Sequence, residues 1–131
     1  MEELSEKKAS VEAPAVAYRR YLEKGKLGYQ RCTDCSAAVF YPRTMCPVCG
    51  SGALEWRESS GRGTVYATTA VHSRNRDPRN VVLVDLDEGF RMMSRVEGVA
   101  AEEVEIGTRV RFEVRQGEGD EPVAVFVREG S

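Results

Sequence analysis

The chain has 131 residues, 41% of them hydrophobic and 31% charged, which suffices for one ordinary core and a small metal-stapled module but not for two large cores. A formal net charge of -2 offers no global attraction to nucleic acid, and no apolar run approaches the length that spans a bilayer. The charge is unevenly spread: residues 14–31 carry a local net of +4 and residues 59–80 of +3, while 81–107 carry -5, so an anionic ligand is expected on the earlier half.

Residues 1–13 are small and polar without a stable period, the composition of a flexible N-terminus. Pro14 then offers a helix start. Tyr18, Tyr21, Leu22 and Gly25 recur on one helical face while Arg19, Arg20, Glu23 and Lys24 take the others, which predicts an amphipathic helix within residues 14–26 that Gly25 stops. Its tyrosine face either packs on the units that follow or meets a partner or ligand.

Cys32, Cys35, Cys46 and Cys49 stand as C-x2-C, ten residues, C-x2-C. Each pair makes a tight knuckle, and the intervening residues allow an out-and-back excursion that brings the two knuckles together around one tetrahedral centre. Four soft thiolates with no open position describe a structural zinc, which substitutes for the core a segment this short cannot build. Iron held as in a rubredoxin uses the same knuckles, and two disulfides use the same cysteines. The two-residue gaps and the lack of a leader-like start favour a shared metal, and zinc is the commoner occupant of an isolated ribbon. Leu54 and Trp56 resume an extended pattern, and Gly61 and Gly63 mark the passage to the next unit, so the ribbon is placed at 27–58.

Residues 59–131 read as strands of period two. Val65, Ala67, Thr69 and Val71 are expected on one face of the first and Val82, Val84 and Leu86 on one face of the second. Phe90, Met92 and Val96 pack in the third, Val110, Phe112 and Val114 in the fourth, and Val123, Val125 and Val127 in the fifth. A longer connection follows the third strand, a pattern that fits a five-stranded OB-fold barrel. The expected architecture is mainly β: N-terminal helix, rubredoxin-like zinc ribbon and C-terminal barrel.

Several stretches carry a resemblance: Arg31-Cys-x2-Cys35, Tyr41-Pro-Arg43, Cys46-Pro-x-Cys-Gly50, Ser60-Gly-Arg-Gly-Thr-Val65, Val71-His72, Leu86-Asp-Glu-Gly89 and Glu105-Ile-Gly107. From Pro14 to Arg128 the chain resembles the family of OB-fold proteins with an N-terminal rubredoxin-like zinc ribbon. The resemblance implies a non-catalytic accessory or acyl-CoA-binding subunit that partners a thiolase-like, hydratase or aldolase enzyme in the metabolism of lipid or sterol side chains. Copies of the chain associating within such a complex belong to the same expectation. Two positions depart from the family pattern: Ser36 replaces the usual glycine after the second cysteine, and Asn80 replaces an aromatic near the start of the second barrel strand.

Coenzyme A joins an anionic nucleotide end to a long pantetheine arm. Arg74, Arg76 and Arg79 are the candidates for its phosphates, and Tyr18, Tyr21 and Leu22 for the apolar side. A single-stranded nucleic-acid-binding ribbon and barrel is the alternative, disfavoured because Phe90, Phe112 and Phe126 fall into the core alternation and the barrel segment is partly acidic. His72 is the only histidine, and Ser73 and Asp77 are merely its sequence neighbours, so no catalytic constellation is legible. Four reduced cysteines and the lack of an apolar span predict a cytoplasmic protein without membrane contact.

Overall fold

The computed structural model describes residues 13–117, 119 and 121–129. The flexible N-terminus expected for residues 1–13 lies outside them, apart from Ala13. Helix α1 (Pro14–Glu23) opens on a proline whose fixed φ suits the first helical position. It ends at Gly25, φ 76°, whose N–H donates to the Leu22 carbonyl at 2.9 Å. Ala17 and Leu22 form its buried stripe, and the helix runs against β1 and β9.

Strands β1 (Gly28–Cys32), β2 (Ala38–Val39) and β3 (Leu54–Glu58) form an antiparallel sheet in the order β2-β1-β3. Gln30, 3% exposed, lies opposite Val39 and Trp56. Its side-chain amide donates to the Arg43 carbonyl at 2.9 Å and accepts the Arg43 N–H at 2.8 Å. This reciprocal pair fixes the approach to the second knuckle without a main-chain ladder. Gly28 leaves room for the helix: a Cβ there would lie 2.6 Å from Cγ of Tyr21.

The second sheet contains β4 (Arg62–Ser73), β5 (Arg76–Leu86), β6 (Arg91–Ser94), β7 (Val96–Glu97), β8 (Arg109–Gln116) and β9 (Pro122–Arg128), in the order β6-β5-β4-β8-β9-β7. A short 3-10 turn, Ala101–Glu103, precedes β8. The strand expected third is split in two: β6 pairs antiparallel with β5, and β7, one residue further on, pairs parallel with β9. The six strands thus run through one continuous set of partners. Gly63 stands where β4 presses on β5, since a Cβ there would lie 2.6 Å from the Asp85 carbonyl oxygen and 2.8 Å from Cγ1 of Val84.

Two strand faces differ from the sequence expectation. Val65 pairs with Val84 but Ala67 with Leu83, so β4 gains a residue at Tyr66. This bulge turns Ala67, Thr69 and Val71 to the opposite face from Val65, which alone of the four is buried, at 1% exposure. In β9 the inward side chain is Phe126, 0% exposed and paired with Phe112, so the valines occupy the other face. Val125 is buried there as well, because β9 is covered on both sides.

One core serves both sheets. Val65, Val82, Val84, Leu86, Phe90, Met92, Val96, Val110 and Phe126 pack together with Leu27, Tyr29 and Phe40 of the ribbon segment. Phe90 is the hub, stacked on Tyr29 (centroids 4.8 Å) and on Phe40 (5.2 Å), while Tyr18 of α1 meets Phe40 edge-on at 5.4 Å. Among the described residues no helix is long and apolar enough to cross a membrane.

Candidate functional site

The cysteines converge. The Sγ atoms of Cys32, Cys35, Cys46 and Cys49 all lie within 4.8 Å of one another, with Cys32–Cys49 at 3.6 Å and Cys35–Cys46 at 3.7 Å. Four sulfurs held ~2.3 Å from one tetrahedral ion stand about 3.8 Å apart, so the spacing is that of a metal cage. All four are free cysteines. The knuckles are built alike: the Ser36 N–H donates to the Cys32 carbonyl and the Gly50 N–H to the Cys46 carbonyl, both at 2.8 Å. Ser36 (φ 68°) and Gly50 (φ 79°) both take the left-handed conformation that closes such a turn. Arg31 secures the first knuckle by donating to the Ser36 carbonyl at 2.8 Å.

The sulfurs do not share charge easily. Main-chain N–H groups, that of Cys49 first and then that of Val48, hold the Cys46 thiol down at about 7 against the burial that raises it. The Ser51 N–H pulls Cys49 down, but the Cys32 sulfur and burial outweigh it and push that thiol up to about 12. Four thiolates this close need a cation to offset them, and a soft divalent ion fits the donor set. Four protein donors complete a tetrahedron and leave no open position for a reacting water.

A carboxylate joins the ribbon to the second sheet. Glu88 accepts the Ser59 hydroxyl and the Ser60 N–H, each at 2.7 Å, and its own carbonyl accepts from Arg31 at 3.2 Å. Burial raises the Glu88 carboxyl, but those donors outweigh it and the net shift is downward.

The structure separates the candidate ligand residues. Arg74, Arg76 and Arg79 are exposed at the far end of the β4–β5 hairpin, with no ion pair or side-chain hydrogen bond among the described residues. A bulge in β5 sets Arg79 opposite Val71 and Arg76 opposite Ser73, which places both arginines on one face. By contrast Arg109, Arg111 and Arg115 are all paired, with Asp87, Glu113 and Glu97 among their partners. His72 is exposed beside Glu102, 3.1 Å from its carboxylate.

Tyr18, Tyr21 and Leu22 sit at the other end. Leu22 is buried, and Tyr18 lies against the core, where burial, with a smaller push from Tyr41, raises its hydroxyl to about 12. Tyr21 is half-buried, stacked on Trp56 at 5.5 Å, and borders a groove of about 330 Å³ with Arg20, Lys24, Lys26 and Glu58. The hairpin extends ten residues from the Gly63–Leu86 pair to Ser73–Arg76. At ~3.3 Å per residue its arginines lie roughly 33 Å along the strands from the ribbon end. Sequence reading counts Arg20, Lys24 and Lys26 only as local charge; the four-residue spacing of the first two was the available sign of a shared surface.

A four-cysteine ribbon fused through one core to a β-sheet domain defines the class. Residues 19–55 match the family described as "ChsH2, rubredoxin-like zinc ribbon domain" and residues 56–115 that described as "ChsH2, C-terminal OB-fold domain". A DUF35 domain-containing scaffold protein of Pyrococcus furiosus is 30% identical over 104 residues, 76% of each chain, and one of Methanocaldococcus jannaschii 29% over 118 residues, 84% of each. A probable enoyl-CoA hydratase alpha subunit of Thermomonospora curvata is 31% identical over 105 residues, 77% of this chain; the chain spans only 33% of that subunit. Among solved structures, a chain of the "Ltp2-ChsH2(DUF35) aldolase" superposes with a TM-score of 0.79 at 27% identity, covering 90% of this chain and 96% of that one. The chain belongs to the ChsH2/DUF35 family of zinc-ribbon and OB-fold proteins.

Proposed function

We propose that the chain is a non-catalytic accessory module of a thiolase-, hydratase- or aldolase-type acyl-CoA enzyme. The observation that carries this reading is the likeness across 96% of a chain in a two-component aldolase, together with the like segment in a third of a hydratase subunit. The four sulfurs take one structural zinc, which the thiol-rich donor set and its spacing support. The ribbon is the unit at 27–58, and the unit at 59–131 closes into a five-stranded OB barrel. Support for closure comes from residues 91–97, which pair with β5 at one end and β9 at the other. The four free cysteines support a reducing compartment, and the reading takes it to be the cytoplasm.

In this reading Arg74, Arg76 and Arg79 reach the phosphates of a coenzyme A shared with the partner enzyme. Their lack of partners among the described residues leaves their charge available for it. Tyr21 meets the ligand at the helix end, while Tyr18 and Leu22 hold α1 in place from beneath. The metal held by the four cysteines is structural in this reading, and among the described residues those around it supply no acid-base pair. The test is gentle co-purification from the source cell with identification of the bound protein, alongside acyl-CoA turnover by the isolated chain. An acyl-CoA enzyme is expected in the complex and no repeated turnover by the chain alone; a solitary chain, or one that turns over substrate by itself, overturns the proposal.

A further inference from the structure

The groove between the end of α1 and the ribbon sheet is lined by Arg20, Tyr21, Lys24, Lys26 and Glu58, three cations against one carboxylate. Arg20 and Lys24 are one helical turn apart, so both side chains border the same groove. Lys26 stands 3.3 Å from Glu58, so its charge is engaged by a carboxylate that an incoming anion competes with. Tyr21 supplies a flat wall, stacked on Trp56 with 25° between the rings and lying over Gly28.

A plate beside several cations suits a nucleotide, whose base lies on an aromatic face while its phosphate oxygens draw in guanidinium and ammonium groups. The groove volume of about 330 Å³ falls within the range of small-molecule sites. An acidic peptide would satisfy the cations but gain nothing from the plate. We propose that this groove binds the phosphorylated nucleotide end of coenzyme A. The proposal rests on the acyl-CoA reading above and concerns a coenzyme A held by this chain itself, apart from the enzyme-shared molecule whose phosphates the hairpin arginines reach. Glu58 acts against binding by holding Lys26, and an incoming phosphate displaces it.

Trp56 is the chain's single tryptophan, and its contact with Tyr21 makes its emission a reporter of the groove. The full chain is titrated with coenzyme A, ADP, inorganic phosphate, pantetheine and a hexaglutamate peptide over a salt series. Coenzyme A and ADP are expected to change Trp56 emission, and pantetheine to leave it unchanged. Combining Arg20→Gln, Lys24→Gln and Lys26→Gln weakens ADP binding by about tenfold or more and flattens its salt dependence. Glu58→Gln tightens binding, and combined Arg109→Gln, Arg111→Gln and Arg115→Gln, at arginines already paired on the second sheet, leaves ADP binding unchanged. Thermal unfolding and metal content confirm that each variant folds.

Pantetheine binding as well as coenzyme A, hexaglutamate binding more tightly than ADP, or wild-type ADP affinity in the groove variant each overturns the assignment. If no nucleotide binds while an acyl-CoA enzyme still co-purifies, the groove proposal fails and the accessory reading stands. If nucleotides bind but no enzyme accompanies the chain, the reverse holds.

Discussion

Asn80 is 5% exposed, and its amide donates to the Val96 carbonyl at 2.8 Å and accepts the Val96 N–H at 2.7 Å. The side chain therefore satisfies main-chain groups at the point where the chain leaves β6 and enters β7. An aromatic ring, which the resemblance implies at this position, has no such pair of groups and would leave both Val96 groups to other partners. Asn80→Ala orphans both Val96 groups in the interior and is expected to destabilise the fold by about 2–3 kcal/mol in chemical denaturation. At the first knuckle the strain runs the other way. Ser36 holds φ 68° where its counterpart is Gly50, so Ser36→Gly is expected to raise stability by up to about 1 kcal/mol without altering metal content. An unchanged or lowered midpoint would show that Ser36 contributes something more than a backbone position.

The ribbon and the second sheet meet as elements through Phe90 and through Glu88, and only the first contact has an apolar signature a sequence can display. Glu88 reads as an ordinary turn acid in Leu86-Asp-Glu-Gly89; the donors that surround it, Ser59 and Ser60, lie 29 and 28 residues away. Its carboxyl titrates below its ordinary value, so its contribution to stability is complete above the unfolded-state pKa of about 4.3 and is lost as pH falls through the lower folded value. Glu88→Gln is expected to cost about 1 kcal/mol at neutral pH, solvent at this half-buried site moderating the loss. The gap between the two proteins should close below about pH 4. Asp87 next door is also lowered, by its hydrogen bond from Arg109, so only the difference between wild type and variant isolates Glu88. A gap that persists in acid would mean the loss is steric.

For the whole molecule, the shared core governs what loss of the metal does. Leu27, Tyr29 and Phe40 flank the cysteine knuckles in sequence yet pack with Val84 and Phe126 of the second sheet and with Phe90 of its β5–β6 turn. One zinc per chain is expected by elemental analysis. Cys46→Ser replaces a soft anionic donor by a neutral hydroxyl and is expected to abolish stoichiometric zinc. Because the ribbon residues belong to the common core, the variant should unfold earlier in one transition, with Trp56 emission and far-ultraviolet dichroism coinciding. A second transition at the wild-type temperature would show that the two sheets are energetically separate.

Local chemistry determined much of this protein. Thiolate spacing specifies a metal cage within a short stretch, proline and glycine bound α1, and period-two runs mark the strands, because each signal depends on residues adjacent in sequence. The bulge at Tyr66 escaped that logic: a single inserted residue reverses every side chain beyond it, and only pairing with β5 reveals where the insertion falls. The switch of partners between β6 and β7, the hydrogen bonds around Glu88 and the groove beneath α1 are likewise matters of tertiary structure. So is the separation of the hairpin arginines from the helix tyrosines. Each depends on which distant segments the core brings together and which strand length holds apart, and neither is encoded in local spacing.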